Sequence, residues 1–124
     1  MSTERGRRLG EQQKLLTKLY KNLSTKDRIN VELVVQLAES RGLSITPSGS
    51  ALKNIHYKDI DFFVLGSRSE AREFINELIE NHRAKIIEKE LDPLAHYMSV
   101  AVFERYKLQI NDTKIDIAYC GFSS

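Results

Sequence analysis

Apolar positions recur at helical spacing twice near the start of the chain, at Leu15, Leu16, Leu19, Tyr20 and Leu23, then at Val31, Leu33, Val34, Leu37 and Ala38. Each set lines one face of a helix, so the pattern predicts two helices. Ser24-Thr25-Lys26-Asp27 between them offers cap-forming oxygens, and Arg41-Gly42 supplies a stop to the second. Beyond Gly42 the period shortens. Residues 43–45 read as a first strand, broken by Thr46-Pro47-Ser48-Gly49-Ser50, which opens a short helix through Ala51 and Leu52. Residues 59–65 read as a central, largely apolar strand, followed by a turn with a capping residue at Gly66-Ser67-Arg68-Ser69. Ala71, Phe74, Ile75, Leu78 and Ile79 then predict an amphipathic helix ending near Asn81-His82. The remainder is strand-like: residues 85–89, a turn at Asp92-Pro93, one long strand over 98–110, and a strand over 113–120 that pairs back across Asn111-Asp112. The predicted class is α+β, a small mixed sheet with helices packed on one side.

A length of 124 residues suits one domain better than two, with a basic helical segment over 1–42 leading into a sheet core over 43–124. With 19 basic and 17 acidic side chains the net charge of +2 does not by itself demand a nucleic-acid partner. The distribution adds something. Arg5, Arg7, Arg8, Lys14, Lys18, Lys21, Lys26 and Arg28 outnumber Glu4, Glu11 and Asp27, so the first quarter would suit RNA, DNA or an acidic protein, although a solvated helix start is the plainer reading. Cys120 is the only cysteine, which excludes an intramolecular disulfide and a cysteine-based zinc site, fits a reducing cytoplasm, and reads as a small buried residue. No apolar run reaches the length of a membrane span, and residues 1–10 lack the apolar centre of a secretion signal; a soluble, cytoplasmic protein is expected.

The candidate chemistry lies in carboxylates. In a strand, side chains two apart share a face, so Asp59 and Asp61 project together while Ile60, Phe62 and Val64 go to the other side. In the last strand Ile115, Ile117 and Tyr119 alternate with Lys114, Asp116 and Ala118, which puts Asp116 opposite the apolar face as well. If the two strands are neighbours, three aspartates converge. Like charges so placed raise one another's pKa, and a divalent cation among them reverses that penalty. Asp116 also has an ordinary reading, a surface pair with Lys114 that needs no metal. Gly49-Ser50 opens a helical turn whose first amides lack carbonyl partners inside it, a setting that suits a phosphate.

Gly49-Ser50, a loop over 51–58, Asp59-Ile60-Asp61 and a later strand acid in Lys114-Ile115-Asp116-Ile117 resemble the nucleotidyltransferase superfamily of polymerase-beta-like fold, particularly its minimal members. The order of elements agrees from about residue 30 onward. Minimal members often read Gly-Ser-x-Ala-Arg-Gly where this chain has Gly49-Ser50-Ala51-Leu52-Lys53-Asn54, so a lysine replaces the arginine and an asparagine, which tolerates left-handed backbone angles, replaces the glycine. The loop to Asp59 is somewhat shorter than usual, and little sequence follows the third-acid strand. The resemblance implies two magnesium ions, with manganese as a substitute, held by Asp59, Asp61 and Asp116. It implies a nucleoside triphosphate whose phosphates meet Gly49 and Ser50, with Lys53 and Lys58 as secondary contacts. A nucleoside monophosphate would pass to an acceptor hydroxyl with release of pyrophosphate. The resemblance also leaves open a non-catalytic interaction protein of the same fold, antitoxin-like or a partner subunit. A chain this short suggests a protein partner or homodimer to complete the enclosure. Other residues read as structural: His56 as an exposed loop histidine, His82 at a helix end, Asp92 and His96 as no zinc pair, and Tyr97, Phe103 and Tyr106 as packing.

Overall fold

The computed structural model describes the backbone over 3–91 and 102–121 and side chains over 10–90 and 104–121. The element order is α1 (Thr3–Asn22), α2 (Thr25–Ser40), β1 (Ser44–Ser48), a single 3₁₀ turn (Ser50–Leu52), β2 (Ile60–Leu65), α3 (Arg68–His82), β3 (Lys85–Leu91), β4 (Val102–Ile110) and β5 (Thr113–Gly121). The five strands form one sheet in the order β1-β2-β5-β4-β3. Only β2 and β5 run parallel; the other pairs are antiparallel. The expected α+β class and mixed sheet are what the chain adopts.

Alternation decides which face of the sheet is buried. Ile45 on β1, Ile60, Phe62 and Val64 on β2, and Ile115, Ile117 and Tyr119 on β5 all enter one core, where Leu16, Leu19, Val31, Val34, Phe74 and Leu78 of the helices meet them. The opposite face stays open, and Phe63 and Leu65 are about half exposed on it. Caps fall where the sequence put them. The Ser24 hydroxyl accepts from the Asp27 amide at the start of α2, and the Ser67 hydroxyl accepts from the Glu70 amide at the start of α3. Gly42, at φ 73°, ends α2, with the Leu43 amide donating back to the Ala38 carbonyl at 3.0 Å.

Three expectations need correction. The first strand is not broken at Thr46; it runs on through Pro47 to Ser48. That is tolerable because β1 is an edge strand, paired among the described strands with β2 alone, where a missing amide donor costs little. Asn54 does not use the left-handed angles it would tolerate. Its Oδ1 accepts the His56 amide at 2.8 Å, so it shapes the loop through its side chain instead of through its backbone. The strand expected over 85–89 continues to Leu91, with a register shift between Ile86 and Glu88. Cys120 is half-buried rather than buried, because it falls on the open face beside Leu65. The long strand expected over 98–110 is seen from Val102. The turn at Asp92-Pro93, His96, Tyr97 and residues 98–101 lie outside the described residues, as does the Phe103 side chain. Among the described residues no helix is long and apolar enough to cross a membrane.

Candidate metal and phosphate site

Strand pairing assembles the acids. In the parallel pair β2/β5 the register sets Asp61 directly against Asp116, and Asp59 precedes the first residue of β2. Asp116 is 4% exposed, and Asp61 is half-buried beside it. The Asp61 carboxyl is pushed above the usual aspartate range, first by burial and then by the charges of Asp116 and Asp59. Mutual repulsion of this kind is what a bound cation relieves.

The Gly-Ser turn closes over the same carboxylate. Ser48, the last residue of β1, pairs with Asp61, and the chain then turns at Gly49 with φ 79° and ψ −165°. A Cβ on Gly49 would lie 2.2 Å from Asp61 Oδ2, so glycine is required twice, for its dihedral and for its lack of bulk. Ser50 begins the 3₁₀ turn, whose carbonyl end is tied off by the Lys53 and Asn54 amides donating to the Ser50 carbonyl. Ser50, Lys53 and Lys58 are exposed, and Asn22 of α1 fixes the turn from behind by donating to the Ala51 carbonyl at 2.8 Å. The loop before Asp59 is held by Tyr57, whose hydroxyl donates to Asp27 and accepts the Ser24 amide. Asp27 in turn accepts from Thr113 at the start of β5, so α2, the loop and the acid strand share one polar knot.

Two cations that the sequence reading did not assign complete the site. Arg105 on β4 grips Asp116, its Nε donating to both carboxylate oxygens at 3.0 Å and a terminal nitrogen adding a further bond. Lys107 on the same face reaches Asp59 at 3.6 Å. The ordinary pairing considered for Asp116 was therefore right in kind and wrong in partner, since Arg105 takes the place expected of Lys114. The hairpin contained the signal. With Ile110 and Thr113 closing the Asn111-Asp112 turn, three steps back along each arm bring Lys107 opposite Asp116, and Arg105 follows on the same face. Among the described residues no group of three or more metal-ligating side chains is gathered closely enough to hold an ion as they stand. The donor set still fits a hard divalent cation, being all carboxylate oxygen, and beside Lys58, Asp59 and Lys107 opens a groove of about 670 Å³.

A solved structure of the Cid1 poly(U) polymerase with MgGTP bound superimposes with a TM-score of 0.50 at 19% sequence identity, over 86% of this chain and 36% of that one. This chain has a nucleotidyltransferase-like fold. It spans about a third of that polymerase's length. No family model matches the sequence, and no curated protein matches it. The order of elements read from the sequence thus corresponds to the fold, and the strands of Asp61 and Asp116, whose adjacency the sequence left conditional, are neighbours.

Proposed function

We propose that this chain is a metal-dependent nucleotidyltransferase domain that moves a nucleoside monophosphate from a nucleoside triphosphate to an acceptor hydroxyl. The observation that carries the reading is the register of Asp61 against Asp116 with Gly49 pressed onto Asp61, within this fold. Asp59, Asp61 and Asp116 would hold two magnesium ions, or manganese in their place. Bound there, the ions would supply positive charge to the entering and leaving oxygens of an in-line displacement. The acceptor oxygen forms its bond to the α-phosphorus as the bond to the β-phosphate oxygen breaks, and pyrophosphate leaves with that electron pair. Asp116, once clear of Arg105, would take the hydroxyl proton. Gly49 lets phosphate oxygens approach the backbone, the Ser50 hydroxyl can donate to them, and Lys53 and Lys58 add charge at the rim. The exposed lysines of α1, Lys14, Lys18 and Lys21, would suit a nucleic-acid acceptor. The single cysteine fits the cytoplasm, and a homodimer or protein partner would cover Phe63 and Leu65 on the open face.

The direct test is calorimetric titration of each nucleoside triphosphate with magnesium into the wild-type chain and into Asp61→Asn. Binding that requires magnesium and is lost in the variant is expected. Equal binding in both would overturn the reading.

A second reading has its own observation. Arg105 and Lys107 already neutralise Asp116 and Asp59, as a non-catalytic interaction protein of this fold would need if its acids had become structural. Asp59→Asn combined with Asp61→Asn separates the two readings. A folded double variant that keeps full biological function would favour the interaction protein.

A further inference from the structure

The two cations on β4 each have a second acid waiting across the sheet. Antiparallel register places Glu90 of β3 opposite Arg105 and Glu88 opposite Lys107. Lys107 is already shared, with its Nζ 3.6 Å from Asp59 and 4.0 Å from Glu88. Arg105 is 47% exposed even while it grips Asp116, so its guanidinium can swing through solvent without disturbing the core. Glu90 is exposed and contributes to stabilising the Arg105 charge where it now sits. Cross-strand partners in an antiparallel pair lie close enough for ion pairing. Each cation thus has one acid of the candidate site on one side and an acid of the edge strand on the other.

We propose that Arg105 and Lys107 are resident counter-ions of the acid site, and that a divalent cation enters by displacing them from Asp116 and Asp59 onto Glu90 and Glu88. The inference rests on the metal-site reading above and adds what that reading lacks, a route from the closed arrangement to one that can be loaded. Unloaded, Asp116 and Asp59 are neutralised by Arg105 and Lys107, and Asp61 lies between them without an ion pair of its own among the described contacts. Loaded, the arginine and lysine keep a carboxylate partner each, so cation entry exchanges one set of ion pairs for another. Arg105 and Glu90 are positioning residues in this scheme, since they act through Asp116.

Manganese binding to the full chain, followed by the loss of the free-ion electron paramagnetic resonance signal, tests this without any turnover. Arg105→Gln should tighten manganese binding roughly tenfold, and Arg105→Lys, which keeps the charge but loses the two-pronged grip, should fall between. Glu90→Gln should weaken binding about twofold in the wild-type background and have no effect beside Arg105→Gln, because the seat matters only while the arginine needs one. Lys114→Gln removes the same charge from the same face without freeing any acid and should shift binding less than about twofold. The proposal falls if wild type binds manganese and Arg105→Gln binds it no more tightly. It falls equally if Lys114→Gln tightens binding as much as Arg105→Gln, or if Glu90→Gln weakens both backgrounds alike. Should Arg105→Gln prove unfolded by near-ultraviolet circular dichroism, Arg105→Lys decides in its place. If neither wild type nor any Arg105 variant binds manganese at millimolar concentration, the metal-site reading itself fails and this inference goes with it. That outcome is distinct from binding that Arg105 does not control.

Discussion

Glu104 and Asp116 lie on adjacent antiparallel strands, are both buried, and both face arginine, yet the two faces of the sheet use their acid in different ways. Glu104 points into the core with its side chain 1% exposed, where Arg72 donates at 2.9 Å, the Tyr106 hydroxyl donates at 2.8 Å and Arg68 lies 3.2 Å away. Burial would raise the Glu104 pKa, but hydrogen bonds from Tyr106 and Arg72 outweigh it and hold the carboxyl below the usual glutamate range. Donors from two elements, α3 and β4, converge on it, so it works as a staple. Asp116 looks the other way, and its hydrogen-bond partner, Arg105, reaches it from the solvent side. A carboxylate pinned by several donors inside the core is committed to the fold. One held, among the described residues, by one half-exposed side chain, beside two further acids and a glycine turn, is the one proposed above for chemistry.

The largest test of that contrast is Glu104→Gln. It should leave Arg68 and Arg72 facing an uncharged group and cost about 3 kcal/mol, read as a lower urea midpoint with an unchanged slope. The pH dependence has a definite sign. An acid whose folded pKa is depressed adds stability that is full above the ordinary glutamate value and is lost as pH falls through the folded one. The wild-type chain should therefore weaken faster on acidification than Glu104→Gln does. Next comes Gly49→Ala. It forces a Cβ to within 2.2 Å of Asp61 Oδ2 at a φ of 79°, and should cost about 1–3 kcal/mol while abolishing magnesium-dependent nucleotide binding. If Gly49→Ala leaves both stability and binding intact, the glycine turn is not the lid over Asp61 described above.

What the sequence disclosed follows the same division between the faces. Ile60, Phe62 and Val64, and Ile115, Ile117 and Tyr119, alternate strictly, so the buried face of β2 and β5 could be read one residue at a time, and Asp61 and Asp116 fell on the other face by subtraction. Ser24, Ser67 and Gly42 announced helix ends because their local chemistry is enough to cap or stop a helix. The extension of β1 through Pro47 was not legible, because whether a proline is tolerated depends on the strand being at an edge, a property of the whole sheet. Arg105, Lys107 and Glu104 were missed for a related reason. Their roles depend on which strand lies beside which, and a charge in a strand-like run looks like any solvated side chain until the partner strand is known. Tyr57 was overlooked because its partners, Asp27 and Ser24, lie some thirty residues away in sequence.

Smaller effects sharpen the comparison further. Tyr57→Phe removes the hydroxyl that joins the loop before Asp59 to Asp27 and the Ser24 amide. It should cost about 1 kcal/mol and raise hydrogen exchange at residues 54–58 without touching the core. Asp61→Asn should do the opposite of every change above and stabilise the chain. Asp61 is held above the ordinary aspartate pKa by burial and by its neighbours Asp116 and Asp59. A raised acid favours the fold while protonated, and that contribution is lost as pH rises through the folded value, so near neutral pH the ionised carboxylate is a burden. Replacing it should raise the melting temperature by about 2 °C, corresponding to roughly half a kcal/mol, with the gain vanishing below the ordinary aspartate range. Magnesium or manganese should then reverse the order, stabilising the wild-type chain and leaving Asp61→Asn unmoved. If Asp61→Asn instead weakens the metal-free chain as Glu104→Gln does, the open face is a second staple. The difference drawn between the two faces of the sheet would then disappear.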